Sequence, residues 1–141
     1  VIGRDNARTP MQWDESKNAG FSTGQPWLAV NPNYKAINVQ EVLANPDSIF
    51  YTYQKLVQIR KENSWLIRAD FELLETTDKV FAYIRKDGNR RFLVVANLSN
   101  EEQDMTVEGT VKSVLIENTV AQEAFEKQIL VPWDAFCVEL L

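Results

Sequence analysis

The amino-acid sequence predicts a mainly β fold, in which an antiparallel β-sandwich domain follows a long irregular loop and one long helix. Three observations support this prediction. Residues 1–35 show neither a helical nor an alternating apolar period. An apolar pattern with helical spacing follows them, and after about residue 64 short apolar runs alternate with polar turns. The sequence therefore predicts two parts, residues 1–64 and residues 65–141.

The clearest strands flank the pair Asp87-Gly88, because Asp-Gly between two apolar runs is a strong hairpin signal. The two runs are residues 80–86 and 91–97. Further strands are predicted at residues 70–74 and 135–141, and weaker ones near residues 103–107, 112–117 and 128–131. Short strands at this spacing, joined by polar turns, are typical of an antiparallel sandwich.

Two asparagines mark the predicted helix starts. Asn38 precedes a glutamate by three residues, which is the pattern of a capping box, and predicts a short helix ending near residue 44. Asn45 is the predicted cap of a longer helix over residues 47–62, with Pro46 at the tolerated first position. This helix carries more apolar surface than one small sheet needs, which indicates a second packing partner.

Composition excludes several classes of function. The chain has 141 residues, 45% of them hydrophobic, so it can bury a core. A net charge of -5 argues against a nucleic-acid partner and gives no reason to expect a membrane partner. The absence of histidine removes Ser-His and Cys-His chemistry and the usual zinc ligand sets. No cofactor or metal site is predicted.

Cys137 is the single cysteine, so no internal disulfide can form. This suits a reducing compartment, and we expect a cytoplasmic protein with Cys137 as a small core residue. The sequence begins with Val1 and not with methionine, which predicts that it is a piece of a longer chain.

The most unusual stretch is Gly3-Arg4-Asp5-Asn6-Ala7-Arg8-Thr9-Pro10-Met11-Gln12-Trp13-Asp14, here called the motif. It combines two arginines, two carboxylates and two amides with a tryptophan. Its Thr-Pro step favours an extended and rigid backbone. A segment so rich in forked hydrogen-bond donors is suited to hold either a ligand or the rest of a larger protein.

The motif, together with residues 18–21, 26–27 and 30–34, closely resembles one branch of the α-amylase superfamily of glycoside hydrolases. That branch contains oligo-1,6-glucosidases, glucan 1,6-α-glucosidases and trehalose-6-phosphate hydrolases. The resemblance implies that residues 1–64 are the end of a (β/α)8 catalytic barrel: the loop after the eighth strand, then the last helix. Residues 65–141 would be the C-terminal β-sandwich domain.

The resemblance also implies an activity for the intact protein, namely retaining, exo-acting hydrolysis of α-1,6-linked glucose from isomalto-oligosaccharides or dextran. The family's catalytic aspartate, glutamate and second aspartate precede this region, so no catalytic residue is assigned and the isolated chain is expected to be inactive. The implied partners are an α-glucoside substrate and the protein's own barrel. Two alternatives stay open: a trehalose-6-phosphate hydrolase fragment, or a non-catalytic carbohydrate-binding or structural β-sandwich.

The resemblance assigns Arg4 to the subsite that holds the non-reducing glucose, where it would pair with an upstream aspartate and bond sugar hydroxyls. We favour this role over a purely structural ion pair. Asp5 is the second substrate-binding candidate, either contacting sugar or orienting Arg4. For Arg8 we favour a structural role, fixing the loop to the barrel or to Asp14.

Other side chains have simpler interpretations. Packing of the loop is favoured over sugar stacking for Trp13, Trp27 and Tyr34. We expect Trp133 in the sandwich core or at a domain interface. Asn97 begins an Asn-Leu-Ser glycosylation pattern, to which no weight is given. The acidic cluster near residues 101–104 is expected to be a solvated turn.

Overall fold

The computed structural model describes residues 3–141, apart from the side chain of Asn6. The chain divides into two compact units, one ending at Gln54 and the other spanning Lys55–Leu141. The predicted division at residue 64 concerns the domains of the intact protein and stays a prediction. Within residues 3–141, no helix is both long and apolar enough to cross a bilayer.

Residues 3–37 contain no α-helix or strand, which agrees with the irregular stretch predicted to about residue 35. Its described residues form 3-10 turns at Arg4–Ala7, Lys17–Gly20 and Pro32–Lys35, followed by helix α1 at Val39–Ala44. Asn38 caps α1, because its Oδ1 accepts a hydrogen bond from the Glu41 N–H at 2.9 Å. Its Nδ2 donates to the carbonyl of Tyr34, also at 2.9 Å. The predicted cap is therefore confirmed.

Helix α2 spans Ile49–Glu62 and begins two residues after the predicted start at residue 47. Asn45 does not cap it. The Asn45 Oδ1 accepts from the Asp47 N–H at 3.0 Å, and the Asn45 carbonyl accepts from the Ser48 N–H at 3.1 Å. These bonds form a separate turn before the helix. Of the residues of α2, only Ile59 is buried, so most of its apolar face is exposed.

The second unit contains two antiparallel sheets, which confirms the predicted fold class. The larger sheet has five strands in the order β1-β2-β3-β7-β5, and β4 pairs with β6 in a two-stranded sheet. The strands are β1 Asp70–Leu73, β2 Val80–Asp87, β3 Arg90–Asn97, β4 Gln103–Asp104, β5 Val111–Glu117, β6 Ile129–Leu130 and β7 Ala135–Leu140. Each predicted strand is present, although β4 and β6 are short.

One helix was not predicted. Helix α3 spans Ala121–Lys127, between β5 and β6. Its seven residues are too few to show a helical period against the neighbouring short strands, and Val120 provides no side-chain cap. Ala121 and Ala124 are buried in the core, so α3 closes one side of the unit.

The core lies against one face of the five-stranded sheet, here called the inner face. Alternate residues of β2, β3 and β7 are buried there, as expected for a period of two. Residues of α3, β6 and the segment after β4 complete the cluster. Its buried members are Val80, Ala82, Ile84, Leu93, Val95, Met105, Val107, Ala121, Ala124, Leu130, Phe136, Val138 and Leu140.

Asn97, at the end of β3, is only 2% exposed. Its Nδ2 donates to the carbonyls of Glu101 at 2.8 Å and Val131 at 2.9 Å, and its Oδ1 accepts from the Ser99 N–H at 3.0 Å. A carboxamide buried in this way cannot accept a glycan. It connects the turn after β3 to the segment after β6.

Trp133 is 60% exposed, so its predicted place in the core is wrong. It lies in a turn with φ +61, where Asn118 Nδ2 donates to its carbonyl at 2.8 Å and its own N–H donates to the Ser99 carbonyl at 3.1 Å. This backbone turns the indole outward and buries the following Asp134 instead. The alternative location, a domain interface, stays a prediction.

Cys137 lies in β7 and is partly buried. Burial raises the pKa of its thiol to about 12. The acidic turn is solvated as predicted: Glu101 and Glu102 are exposed, and the Glu101 carboxylate accepts from the exposed Lys79 ammonium.

We expect Asn97→Ala to lower the free energy of unfolding by about 1–3 kcal/mol, because the hydrogen bonds made by its buried carboxamide to the backbone of Ser99, Glu101 and Val131 would be lost. Urea unfolding followed by circular dichroism measures this change. Asn100→Ala is the matched control, since Asn100 is exposed in the same turn, and we expect a change within about 0.5 kcal/mol. Equal effects of the two substitutions would contradict this role for Asn97.

Candidate functional site

The motif begins in the 3-10 turn Arg4–Ala7, which places Asp5 beside Arg8. The Arg8 N–H donates to the Asp5 carbonyl at 3.0 Å, and the Arg8 guanidinium donates to the Asp5 carboxylate. Residues three apart are adjacent in a 3-10 turn, which explains the pairing. Of the two predicted partners of Arg8, Asp14 is therefore wrong, and the barrel stays a prediction.

Arg4 is exposed on the same turn. Among the groups that the structure describes, no carboxylate or carbonyl accepts a hydrogen bond from its guanidinium. Asp5, which was expected to orient Arg4 or to contact sugar, pairs with Arg8. A carboxylate has about four acceptor positions, so this pairing leaves Asp5 able to accept from a further donor.

Trp27 lies beside this turn. The Arg8 guanidinium carbon is 5.5 Å from the centre of the Trp27 ring, within the range of a cation–π contact. Trp27 is nevertheless 81% exposed, and Trp13 is half exposed. Packing within the described chain therefore covers little of Trp27. Its interpretation as a residue that packs the loop predicts a more buried side chain.

A left-handed turn supports the end of the motif. Asn18, Ala19 and Gly20 have φ values of 57, 57 and 67. This backbone directs the carbonyl of the buried Ala19 towards the N–H groups of Trp13 and Asp14, which donate to it at 2.9 and 3.3 Å. Residues 13–14 are thus held by backbone hydrogen bonds rather than by an apolar core.

The Asp14 carboxylate occupies the space above this turn. Its Oδ1 accepts from the Ser16 N–H at 2.8 Å. Hydrogen bonds from Ser16 lower the pKa of Asp14 below its ordinary value. The bond from the Ser16 side chain has the larger effect, and the bond from its backbone N–H has the smaller one. The stabilisation that they provide is therefore present at neutral pH and is lost as the pH falls below the ordinary range of a carboxyl.

Helix α1 holds the motif from the other side. Its first N–H groups, which have no partner within a helix, donate to motif carbonyls: Val39 to Gln12 at 2.9 Å and Gln40 to Trp13 at 3.0 Å. The Gln12 side chain donates to Asn33 Oδ1 at 3.1 Å and to the Ile37 carbonyl. The motif thus has a rigid end at residues 12–14, while Arg4, Asp5 and Arg8 lie in the exposed turn at its beginning.

The sequence did not predict that the left-handed turn and α1 hold residues 12–14 by backbone hydrogen bonds. The only signal for the turn was the order Asn18-Ala19-Gly20, in which asparagine and glycine both tolerate positive φ. No side-chain pattern marks backbone hydrogen bonds such as those to Gln12 and Trp13.

Other possible sites lie away from the motif. An open cleft in the second unit lies beside α3 and is lined by residues that include Thr119, Glu123, Lys127 and Asp134. It contains neither predicted site residue. Within residues 3–141, no three cysteine or carboxylate side chains are grouped as metal ligands.

Two family models match the chain. The model described as the alpha amylase catalytic domain matches residues 1–69, and the model described as the alpha-amylase SusG C-terminal domain matches residues 80–133. Residues 70–79, which contain β1, lie between the two matches. The irregular unit, α2 and the turn that follows α2 fall in the first match, and β2, β3 and β5 of the larger sheet fall in the second.

Individual glucosidases are also similar to this chain in sequence. The chain is 89% identical over 141 residues to a glucan 1,6-alpha-glucosidase of Streptococcus pneumoniae, covering all of this chain and 26% of that protein. It is 54% identical over 103 residues to an oligo-1,6-glucosidase of Bacillus cereus, covering 72% of this chain and 18% of that protein. The chain therefore spans about a quarter or less of these relatives.

A solved structure of trehalose-6-phosphate hydrolase from Bacillus licheniformis superposes with a TM-score of 0.84 at 36% identity. The match covers 98% of this chain and 26% of that chain.

We expect Gly20→Ala to disrupt the left-handed turn. Gly20 has φ +67, and a Cβ there would lie 2.6 Å from Asp14 Oδ2. Left-handed strain of about 1–2 kcal/mol should speed amide hydrogen exchange at Trp13 and Asp14 roughly tenfold or more.

Gly24→Ala is the matched control, because the nearest atom to a Cβ there is Ser22 Oγ at 3.7 Å. Mass spectrometry of peptides that contain residues 13–14 measures the exchange. If Gly20→Ala exchanges no faster than Gly24→Ala, the turn does not hold the motif.

Proposed function

We propose that this chain, which belongs to the α-amylase family, is the C-terminal part of a retaining, exo-acting α-glucosidase. The intact protein would remove α-1,6-linked glucose from isomalto-oligosaccharides or dextran. The observation that supports this most strongly is the 89% identity to a glucan 1,6-alpha-glucosidase along all 141 residues.

Within that protein, residues 1–64 would form the end of a (β/α)8 catalytic barrel and residues 65–141 the C-terminal β-sandwich. The catalytic-domain match over residues 1–69 and the C-terminal-domain match over residues 80–133 support this division. Active sites of such barrels are built from the loops that follow the strands, and the motif would belong to the last of these loops. A cytoplasmic location is part of the same proposal and rests on the single cysteine.

Retaining hydrolysis uses two carboxyl groups about 5–5.5 Å apart, one as nucleophile and one as acid/base. We place both in the part of the catalytic domain that precedes this chain. The chain's own contribution would be to bind and position the terminal sugar, which lowers the barrier by fixing the reacting groups in place.

Arg4 is the residue that we propose contacts the substrate. A guanidinium stays charged when buried and offers a planar fork of donors, so it can bond a carboxylate and a sugar hydroxyl together. Arg4 is exposed and makes no such bond within the described chain, so it can take both partners. An arginine–carboxylate pair at the end of the pocket would limit the enzyme to removing terminal glucose.

Asp5 is the second proposed substrate-binding residue. Its pairing with Arg8 and the contact of Arg8 with Trp27 would hold the turn that carries Arg4. The remaining acceptor positions of the carboxylate can take a sugar hydroxyl. This arrangement gives Arg8 a positioning role in the same turn.

Trehalose-6-phosphate hydrolysis is the second candidate activity, because the Bacillus licheniformis enzyme of that name has a closely similar fold. Its 36% identity is far below the 89% of the glucan 1,6-alpha-glucosidase, which favours the latter activity. A non-catalytic carbohydrate-binding module is a third candidate, suggested by exposed aromatic side chains such as Trp133.

Arg4→Lys in the intact protein should lower kcat/KM for isomaltose by more than about tenfold, equivalent to about 1.4 kcal/mol. Lysine keeps the charge but loses the planar fork, so it cannot bond the carboxylate and the sugar together. Steady-state glucose release measures this effect.

Arg60→Lys makes the same chemical change at an exposed position of α2 and is the matched control. It should leave kcat/KM unchanged. An unchanged kcat/KM for Arg4→Lys would remove Arg4 from the substrate site.

We expect the intact protein to hydrolyse isomaltotriose with a kcat/KM at least about tenfold above that for trehalose 6-phosphate, a difference of about 1.4 kcal/mol in transition-state binding. Parallel assays of glucose release measure both values. The reverse preference would identify the second candidate activity. Hydrolysis of neither substrate, together with isomaltotriose binding that survives Arg4→Lys, would favour a binding module.

A further inference from the structure

The cleft beside α3, here called the α3 cleft, is lined by a buried carboxylate. Asp134 lines this cleft, although the residue is only 2% exposed. Its Oδ1 accepts a hydrogen bond from the Thr119 hydroxyl, which also lines the cleft. The structure describes no donor for Oδ2, and within residues 3–141 no unpartnered side-chain oxygen of a buried residue is closed off from solvent. The Oδ2 atom therefore opens into the cleft and can accept hydrogen bonds from a ligand.

A strained and well-connected turn holds this carboxylate in place. Asn118 Nδ2 donates to the Trp133 carbonyl at 2.8 Å, and Asn118 Oδ1 accepts from the Ala135 N–H at 2.8 Å. These bonds connect the segment that carries Thr119 to the residues on either side of Asp134. Trp133 has φ +61, and a left-handed backbone is unfavourable for a bulky side chain. Strain of this kind is concentrated at functional sites, and a fixed carboxylate loses little freedom when a ligand binds.

The walls of the α3 cleft combine apolar and charged side chains. Val120, Ile129 and Val131 line it and are exposed, so they present apolar surface to a ligand. Glu123 and Lys127 of α3 also line it, and their charged groups pair at 2.7 Å. An ammonium has three donors and a carboxylate about four acceptor positions, so both groups keep positions for further hydrogen bonds.

This combination fits a sugar ring. The faces of a pyranose consist of C–H groups, which suit the apolar walls, and its edge carries hydroxyls that can bond carboxylate and ammonium groups. The cleft has a volume of about 290 Å³. Small-molecule sites start at about 300 Å³, so the cleft suits a single sugar unit. Within residues 3–141 no carboxylates are grouped as metal ligands, which favours a sugar over a metal ion.

The α3 cleft lies on the inner-face side of the sheet, where α3 packs through Ala121 and Ala124. The sequence that matches the catalytic-domain model reaches the sheet at its other face. There Trp65 packs edge-on against Phe92, with the ring centres 4.8 Å apart. That contact therefore leaves the cleft open to a ligand.

We propose that the α3 cleft binds a glucose unit of a glucan, in addition to the terminal glucose assigned to Arg4. This inference rests on the proposed function and adds substrate recognition by the C-terminal domain. Binding one glucan chain at two places raises its effective concentration at each of them. Hydrolysis occupies one glucose unit on each side of the scissile bond, so isomaltose has no unit left for the cleft, whereas dextran has many.

Filling the cleft in the intact protein tests this proposal. Val131→Trp places a large side chain at the cleft wall. The Val131 carbonyl, which accepts from Asn97 Nδ2 and from the Asp134 N–H, is unaffected by a change of side chain. Val114→Trp is the matched control, because Val114 is 41% exposed, compared with 40% for Val131, and lies in β5 outside the cleft lining.

Retardation by dextran in native gels measures binding without requiring catalysis. We expect Val131→Trp to raise the dextran concentration for half-maximal retardation about tenfold or more, because the gain from binding at two places is lost. Val114→Trp should leave this concentration unchanged. Equal retardation of the two variants would overturn the proposal. If Val131→Trp does not fold, Asp134→Asn removes an acceptor from the cleft, and Asp104→Asn, at an exposed position, is its control.

Hydrolysis by the intact protein separates this proposal from the proposed function. Val131→Trp should raise KM for dextran and leave kcat/KM for isomaltose unchanged, and an equal loss on both substrates would overturn the proposal. If the unmodified protein does not hydrolyse isomaltose but Val131→Trp weakens dextran retardation, the proposed function is refuted and the cleft is retained. If isomaltose is hydrolysed but both variants are retarded equally, the cleft is refuted and the function is retained.

Discussion

The pairing of β3 with both β2 and β7 is the interaction on which the second unit depends. Residues of β3 from Arg90 to Asn97 pair with β2, and residues from Arg91 to Ala96 also pair with β7. This central position requires both faces of β3 to be covered. Leu93 and Val95 are fully buried by the core on the inner face, and Phe92 is buried by Trp65 on the outer face. Farther from β7, on the same outer face, Phe71 and Leu73 of β1 and Phe81 of β2 are exposed.

The first unit is stabilised differently from the second, because backbone hydrogen bonds rather than an apolar core hold its loop. The Ala19 carbonyl and the start of α1 fix residues 12–14 from two sides. Such a network allows a polar, arginine-rich turn to be held in place at the surface without burying its side chains. That is a physical requirement for a residue such as Arg4, which in the proposed function must meet a carboxylate and a sugar that belong to other parts of the site.

Features with a local chemical signature could be predicted from the sequence. Asp87-Gly88 gave the hairpin, and Asn38 gave the start of α1. Features decided by backbone geometry could not. The Arg8–Asp5 pair depends on a 3-10 turn, and the exposure of Trp133 depends on a positive φ. Helix α3 was missed because seven residues between short strands show no clear period. The role of Arg4 came from the resemblance, and its geometry with substrate is still a prediction.

The central claim is that this chain supplies sugar-binding and structural parts of a glycosidase whose catalytic carboxylates lie elsewhere. The rate of glucose release from isomaltose by the purified 141-residue chain, compared with that of the intact protein, tests it most directly. We predict release by the intact protein and none above the blank by the chain, because retaining hydrolysis needs two carboxyl groups about 5–5.5 Å apart across the scissile bond. Turnover by the chain that rises in proportion to its concentration would contradict the claim.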